Sequence, residues 1–184
     1  MAWEGPRNRP PRGNRANQTG PMISMDIFDR YFAPRFGAYF EMAHRYGART
    51  MQHMCGTVHA FLPRLIKLGL DVYDVVQPTT PENSIQSLAK NYGDQIVFQG
   101  SMDVQKEIAF GHVGDVEREV KRRLALFSRG GLFLGPSHAI QPKSPLENTL
   151  ALYRFAGSLR EDVPQRILDI EVKSKSGVNM SKLF

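Results

Sequence analysis

Residues 48–76, ARTMQHMCGTVHAFLPRLIKLGLDVYDVV, contain in one stretch the alternation that sets the fold. Residues 48–54 read as a strand, VHAFLPRLIKL at about 58–68 as a helix closed by Gly69, and Val72 to Val76 as a second strand. Strand side chains two apart share a face, so His53 and Cys55 are predicted to project together if the first strand runs through Cys55. An imidazole and a thiol on one wall are two donors that zinc accepts readily.

The rhythm continues downstream. After Gln77-Pro78, a helix is predicted at about 82–91, and a third strand at 96–99 (IVFQ) running into Gly100-Ser101-Met102-Asp103. A long helix at about 115–128 ends before Gly130-Gly131. The fourth strand, 132–135 (LFLG), leads into Pro136-Ser137-His138. The last helix, at about 145–157, is read with Ser144 as its cap, Pro145 at its first position and Glu147 in its first turn. Upstream, Ser24 to Tyr46 reads as a helix capped by Ser24, kinked or broken at Pro34 and stopped by Gly47. Successive strand–helix units imply parallel strands with right-handed crossovers. That is half of an eight-stranded barrel or a small, open, doubly wound sheet.

In both architectures ligands bind at the C-terminal ends of the strands, and the chemistry-bearing residues gather there. His53 and Cys55 end the first strand, and Asp74 and Gln77 the second. Ser101 and Asp103 follow the third strand, and Ser137 and His138 the fourth. Asp103 is read either as a substrate contact or as the cap of its turn. His44, His59 and His112 are read as surface or packing residues, and the charged run 117–123 as the solvated face of a helix.

Composition bounds the rest. The 184 residues, 41% hydrophobic and 23% charged, suit one globular domain. No apolar run is long enough to span a bilayer, no signal-peptide pattern is present, and the single cysteine forms no internal disulfide; a cytoplasmic location is the expectation. The net charge of +6 owes much to Arg7, Arg9, Arg12 and Arg15 and to Lys173, Lys175 and Lys182, which lie in loose terminal segments without aromatic interleaving. We therefore expect a basic tail at 1–16, one domain at 17–160 and a tail at 161–184, with neither nucleic acid nor membrane as partner. No G-x-G-x-x-G or G-x-x-x-x-G-K-[ST] pattern occurs, so nothing points to a nucleotide.

Five segments, in this order, resemble the uroporphyrinogen decarboxylase superfamily, which also includes zinc-dependent, corrinoid-linked methyltransferases. They are Gln18-Thr19-Gly20 with Met22-Ile23-Ser24, His53-Met54-Cys55-Gly56, Phe98 to Asp103, Pro136 to Pro142, and Pro145-Leu146-Glu147-Asn148. The resemblance covers about 17–160. It implies a TIM (β/α)8 barrel of about twice this length, of which the chain is the C-terminal half: four parallel strand–helix units preceded by a helix. A half barrel exposes two strand edges and an inner face, so a homodimer or an N-terminal half-barrel partner is expected. In the methyltransferase branch, a His-x-Cys pair and a later Cys hold zinc. His53 and Cys55 match the pair, and His138 stands where the later Cys falls, giving a proposed His53–Cys55–His138 set. That branch implies methyl transfer to a thiol from a corrinoid on a partner protein. In the decarboxylase branch, His138 lies near a tetrapyrrole substrate, and Phe98 to Asp103 resembles a Gln-Gly-Asn-x-Asp turn with Ser101 in place of Asn. His138 and Asp103 are then the catalytic candidates, and Gln77, Ser101 and Asp103 the substrate contacts. A non-catalytic fragment of a split or degraded barrel is the remaining alternative.

Overall fold

The computed structural model describes residues 16–158, apart from Gln18 and Thr79. Of the segments expected to be loose, 1–16 and 161–184, only Ala16 is among the described residues, and it is buried and bridged to Pro21. Four strands, β1 (Met51–His53), β2 (Val72–Val76), β3 (Val97–Met102) and β4 (Leu132–Pro136), form one parallel sheet in the order β1-β2-β3-β4. Between them run α3 (Leu62–Lys67), α4 (Ile85–Tyr92), α5 (Glu107–Phe110) and α6 (Val113–Leu126), and α7 (Leu146–Phe155) follows β4. This is the strand–helix alternation of a partial TIM barrel.

The register explains the core. Tyr73 pairs with Phe98 and Phe98 with Leu132, so this row shares one face of the sheet. Tyr73 and Phe98 are fully buried and pack with Leu62, Leu65, Ile85 and Leu88 from the covering helices. The alternate residues face the other way. Met51 and Phe133 there are 51% and 59% exposed. Each aromatic buried on the covered side contributes about 1.5–3 kcal/mol.

Before the sheet comes an aromatic helical run: α1 (Met25–Ile27), a π-helical turn at Phe28–Phe32, and α2 (Ala33–Arg45). Its start and stop are as read from the sequence. Ser24 Oγ accepts the Ile27 N–H at 3.2 Å, and Gly47, at φ +72°, closes the end with its N–H on the His44 carbonyl. Pro34 does not break the run. It falls in the first turn of α2, and the preceding π-helical turn re-pairs the backbone, the Ala33 N–H reaching back to the Phe28 carbonyl. The ring of Phe28 stacks on that of Phe61 at 4.7 Å, joining this run to the entrance of α3.

Other expectations need correction. The helix predicted at 58–68 begins only at Leu62, after tight turns in which the Phe61 and Leu62 N–H groups bond to the Val58 and His59 carbonyls. β3 continues past residue 99 through Gly100 and Ser101, both with positive φ, where its register on β2 shifts. Ser144 makes no cap: Pro145 occupies the cap position of α7, and Ser144 Oγ is buried without a partner. The largest correction concerns the run 117–123. Arg123 is 2% exposed, ion-paired to Glu119 at 2.5 Å and donating to the Ser101 carbonyl at 2.7 Å. Helical spacing turns this one residue of a charged run inward, beneath the left-handed turn at Ser101.

Candidate functional site

The C-terminal edge of β1 is shaped by its neighbours. In the parallel register His53 lies opposite Asp74, so both side chains share the open face. His53 Nδ1 lies 2.6 Å from Asp74 Oδ2, the geometry of an Nδ1–H donated to the carboxylate. The other ring nitrogen, Nε2, lies 3.1 Å from Cys55 Sγ. Imidazole and thiol are together, with a carboxylate behind them, although β1 is shorter than the strand expected at 48–54 and ends at His53, so Cys55 is brought there by the loop beyond the strand and not by strand alternation.

The Cys55 thiol is pushed up from its ordinary value, first by burial and then by the charge of Asp74. It is therefore a thiol at neutral pH. A cysteine that acts as a nucleophile on its own needs the opposite environment. A cation beside it is what would draw out the thiolate.

Behind Cys55 the chain turns at Gly56, at φ +86°, where a Cβ would come within 2.6 Å of the Asn17 carbonyl oxygen. Only glycine allows the 16–21 segment to close down there. The Thr57 N–H bonds to that carbonyl at 2.8 Å, and Asn17 Oδ1 in turn accepts from the Thr19 and Gly20 amides. Gln77 Oε1 accepts the Gly56 N–H, and fully buried Asn83 donates to the carbonyls of Gln77 and Gly56. Gln77 is thus a tie for the cysteine loop as well as a wall of the site. Asn83, which the sequence reading did not single out, is a second tie.

A cleft of about 460 Å³ opens on this edge, and Cys55, Gln77, Gln105, His138 and Gln141 are among its lining residues. Ser137 holds the far side: its N–H reaches the Met102 carbonyl at 2.7 Å, and its hydroxyl accepts from the Val104 amide at 3.3 Å. Three predicted site residues therefore share one cleft: Cys55, Gln77 and His138. Two are placed differently. Asp103 Oδ1 accepts the Gln105 N–H at 2.7 Å, capping its turn. The Ser101 hydroxyl is occupied by Arg123 Nε at 3.1 Å. Val104 and Gln105, next in the chain, line the cleft instead.

Zinc can be tested against these donors. Tetrahedral bond lengths place a zinc-bound nitrogen and sulfur about 3.5 Å apart. The His53–Cys55 pair is close to that, and it carries the carboxylate support that zinc-ligating histidines usually have. The pair fits. The full set expected from the sequence is not drawn together: among the described residues no three His, Cys, Asp or Glu side chains form a group able to hold a metal ion. His138 shares the cleft with Cys55 without completing such a group.

The sequence model of the family described as Uroporphyrinogen decarboxylase (URO-D) matches residues 15–159. The chain belongs to the uroporphyrinogen decarboxylase family. Among solved structures it is similar to a methyltransferase from Methanosarcina mazei, with a TM-score of 0.62 and 22% identity, the match covering 78% of this chain. At that identity the likeness shows the fold alone. The chain spans 40% of the length of that methyltransferase. No curated protein matches it. Among the described residues no helix is long and apolar enough to cross a membrane.

Proposed function

We propose that this family member carries part of a methyl-transfer site, in which His53 and Cys55 bind zinc and a substrate thiol is the methyl acceptor. The observation that carries the reading is the relay Asp74–His53–Cys55, at 2.6 and 3.1 Å, on the strand edge beside the cleft. When bound, zinc supplies the Lewis acidity that keeps a coordinated thiol deprotonated at neutral pH.

The chain's own residues do the rest. Asp74 keeps the His53 proton on Nδ1 and the Nε2 lone pair free. Cys55 gives up its proton and presents sulfur. Gln77 and Asn83 hold the loop that carries Cys55 at a fixed distance from β1. His138, on the opposite wall, is the candidate third donor. In the transfer, the acceptor sulfur forms the S–C bond, and the electron pair of the broken bond stays with the methyl carrier. We take that carrier to be a corrinoid on a partner protein meeting the same edge.

The runner-up, decarboxylation of a tetrapyrrole, calls on Ser101 and Asp103 as substrate contacts. The Ser101 hydroxyl faces Arg123 and one Asp103 oxygen accepts the Gln105 amide, so Ser101 is less available to a substrate than that reading needs. Elemental analysis tests that reading. The purified chain is expected to hold near-stoichiometric zinc, lost in Cys55→Ser and reduced in His138→Ala. A folded parent that takes no zinc on reconstitution would remove it.

A further inference from the structure

We infer that Asp74 is the positioning residue of this site: its carboxylate fixes the tautomer and the direction of His53, and thereby makes Nε2 the donor nitrogen. The role of that nitrogen as a metal ligand rests on the zinc reading above; the control of the tautomer does not.

Three observations converge on Asp74. The first is the register, in which His53 and Asp74 are direct partners in the β1–β2 ladder and so meet on one face. The second is the contrast in exposure. The His53 side chain is 57% exposed and the Asp74 side chain 15%. A ring that open to water keeps one rotamer only if something holds it, and the 2.6 Å hydrogen bond is the hold.

The third is the comparison with Asp71, at the other end of the same strand. Asp71 takes hydrogen bonds from His44, Arg49 and Thr50, and its charge is fully used in joining α2, the loop before β1 and β2. Asp74 has only His53 as ion-pair partner among the described residues. Its carboxylate is therefore left to orient that one ring, and it acts on the site through His53.

The test uses the full chain with Asp74→Ala and Asp74→Leu, which has a similar branched shape and no acceptor. Long-range ¹⁵N–¹H correlation on the metal-free protein reads the His53 tautomer directly. The parent is expected to show the Nδ1–H form, and Asp74→Ala a mixture or the Nε2–H form. Zinc affinity, measured by chelator competition, is expected to fall about 10–100-fold in Asp74→Ala. An unchanged tautomer in Asp74→Ala, or in Asp74→Leu should the alanine variant fail to fold, would overturn the inference. So would zinc affinities within twofold of the parent. A parent that binds no zinc but shows the expected tautomer change would sink the zinc reading and leave the positioning role standing.

Discussion

Replacing Arg123 tests whether the rim of β3 is held from behind. Arg123 is 2% exposed, and its guanidinium meets Glu119 Oε2 at 2.5 Å, the Glu119 carbonyl at 3.1 Å and the Ser101 carbonyl at 2.7 Å. Arg123→Met keeps the bulk and removes every donor. The Ser101 carbonyl, at a residue held at φ +81°, then loses its side-chain partner, and Glu119 retains only Arg122. Removing one member of a buried pair costs about 3–5 kcal/mol. Because Arg122 still neutralises part of the Glu119 charge, the lower end, about 3 kcal/mol, is the expected loss. Urea unfolding of the parent, Arg123→Met, Glu119→Gln and the double variant measures it. The double variant should cost less than the sum of the singles, with a coupling of about 1–3 kcal/mol. A loss below about 1 kcal/mol in Arg123→Met would refute the reasoning, since it would place the guanidinium in water.

Gly56→Ala would press a Cβ against the Asn17 carbonyl and the Ala16 backbone at a positive φ. It is expected to cost about 2 kcal/mol and to speed proteolysis near 16–21, and an unchanged cleavage rate would count against the docking of that segment. The pH dependence of stability follows from Asp71. Burial pushes its carboxyl up, but hydrogen bonds from His44, Thr50 and Arg49 outweigh that and hold it well below the usual carboxylate range. A depressed folded value gives stability that is present above the unfolded value of about 3.9 and lost as pH falls through the folded one. Acid denaturation monitored by circular dichroism should therefore steepen below about pH 4 in the parent and less so in Asp71→Asn. Finally, the exposed Met51 and Phe133 on one sheet face, with the outer edges of β1 and β4 unpaired in the sheet of the described residues, predict that the isolated chain self-associates. Sedimentation should show lower association for Phe133→Lys; a monodisperse monomeric parent would contradict this.

Much of the fold is legible in the sequence because parallel strands buried on one face are short and apolar, and glycines punctuate them. Val72 to Val76 and the strand at 132–135 emerge from that pattern almost residue for residue, the latter extending by Pro136. Local chemistry fixes the start at Ser24 and the stop at Gly47. What composition hides is direction. Arg123 lies in a charged run, and only the packing of α6 against β3 and the β4 side of the sheet shows that it points inward. Helix α5 is a single turn, too short for its periodicity to show. The family was legible from its ordered motifs, which the match over residues 15–159 bears out. The closeness of His53 and Cys55 is expected from strand alternation, but β1 stops at His53 and the loop supplies Cys55; Asp74 enters only through the register of β1 on β2, a non-local quantity no single segment encodes. The surroundings of Ser101 and Asp103 are hidden for a related reason. Their polar side chains suit a ligand equally well as a buried arginine and a turn amide.

The central claim is a zinc-binding thiolate site with room for a second sulfur, and X-ray absorption at the zinc edge tests it most directly. The zinc-loaded full chain is expected to show one sulfur at about 2.3 Å, from Cys55, with nitrogen or oxygen donors completing the shell. Adding an acceptor thiol should raise the count to two sulfurs, and Cys55→Ser should remove one. A first shell without sulfur, or one that does not change with added thiol, would contradict the account.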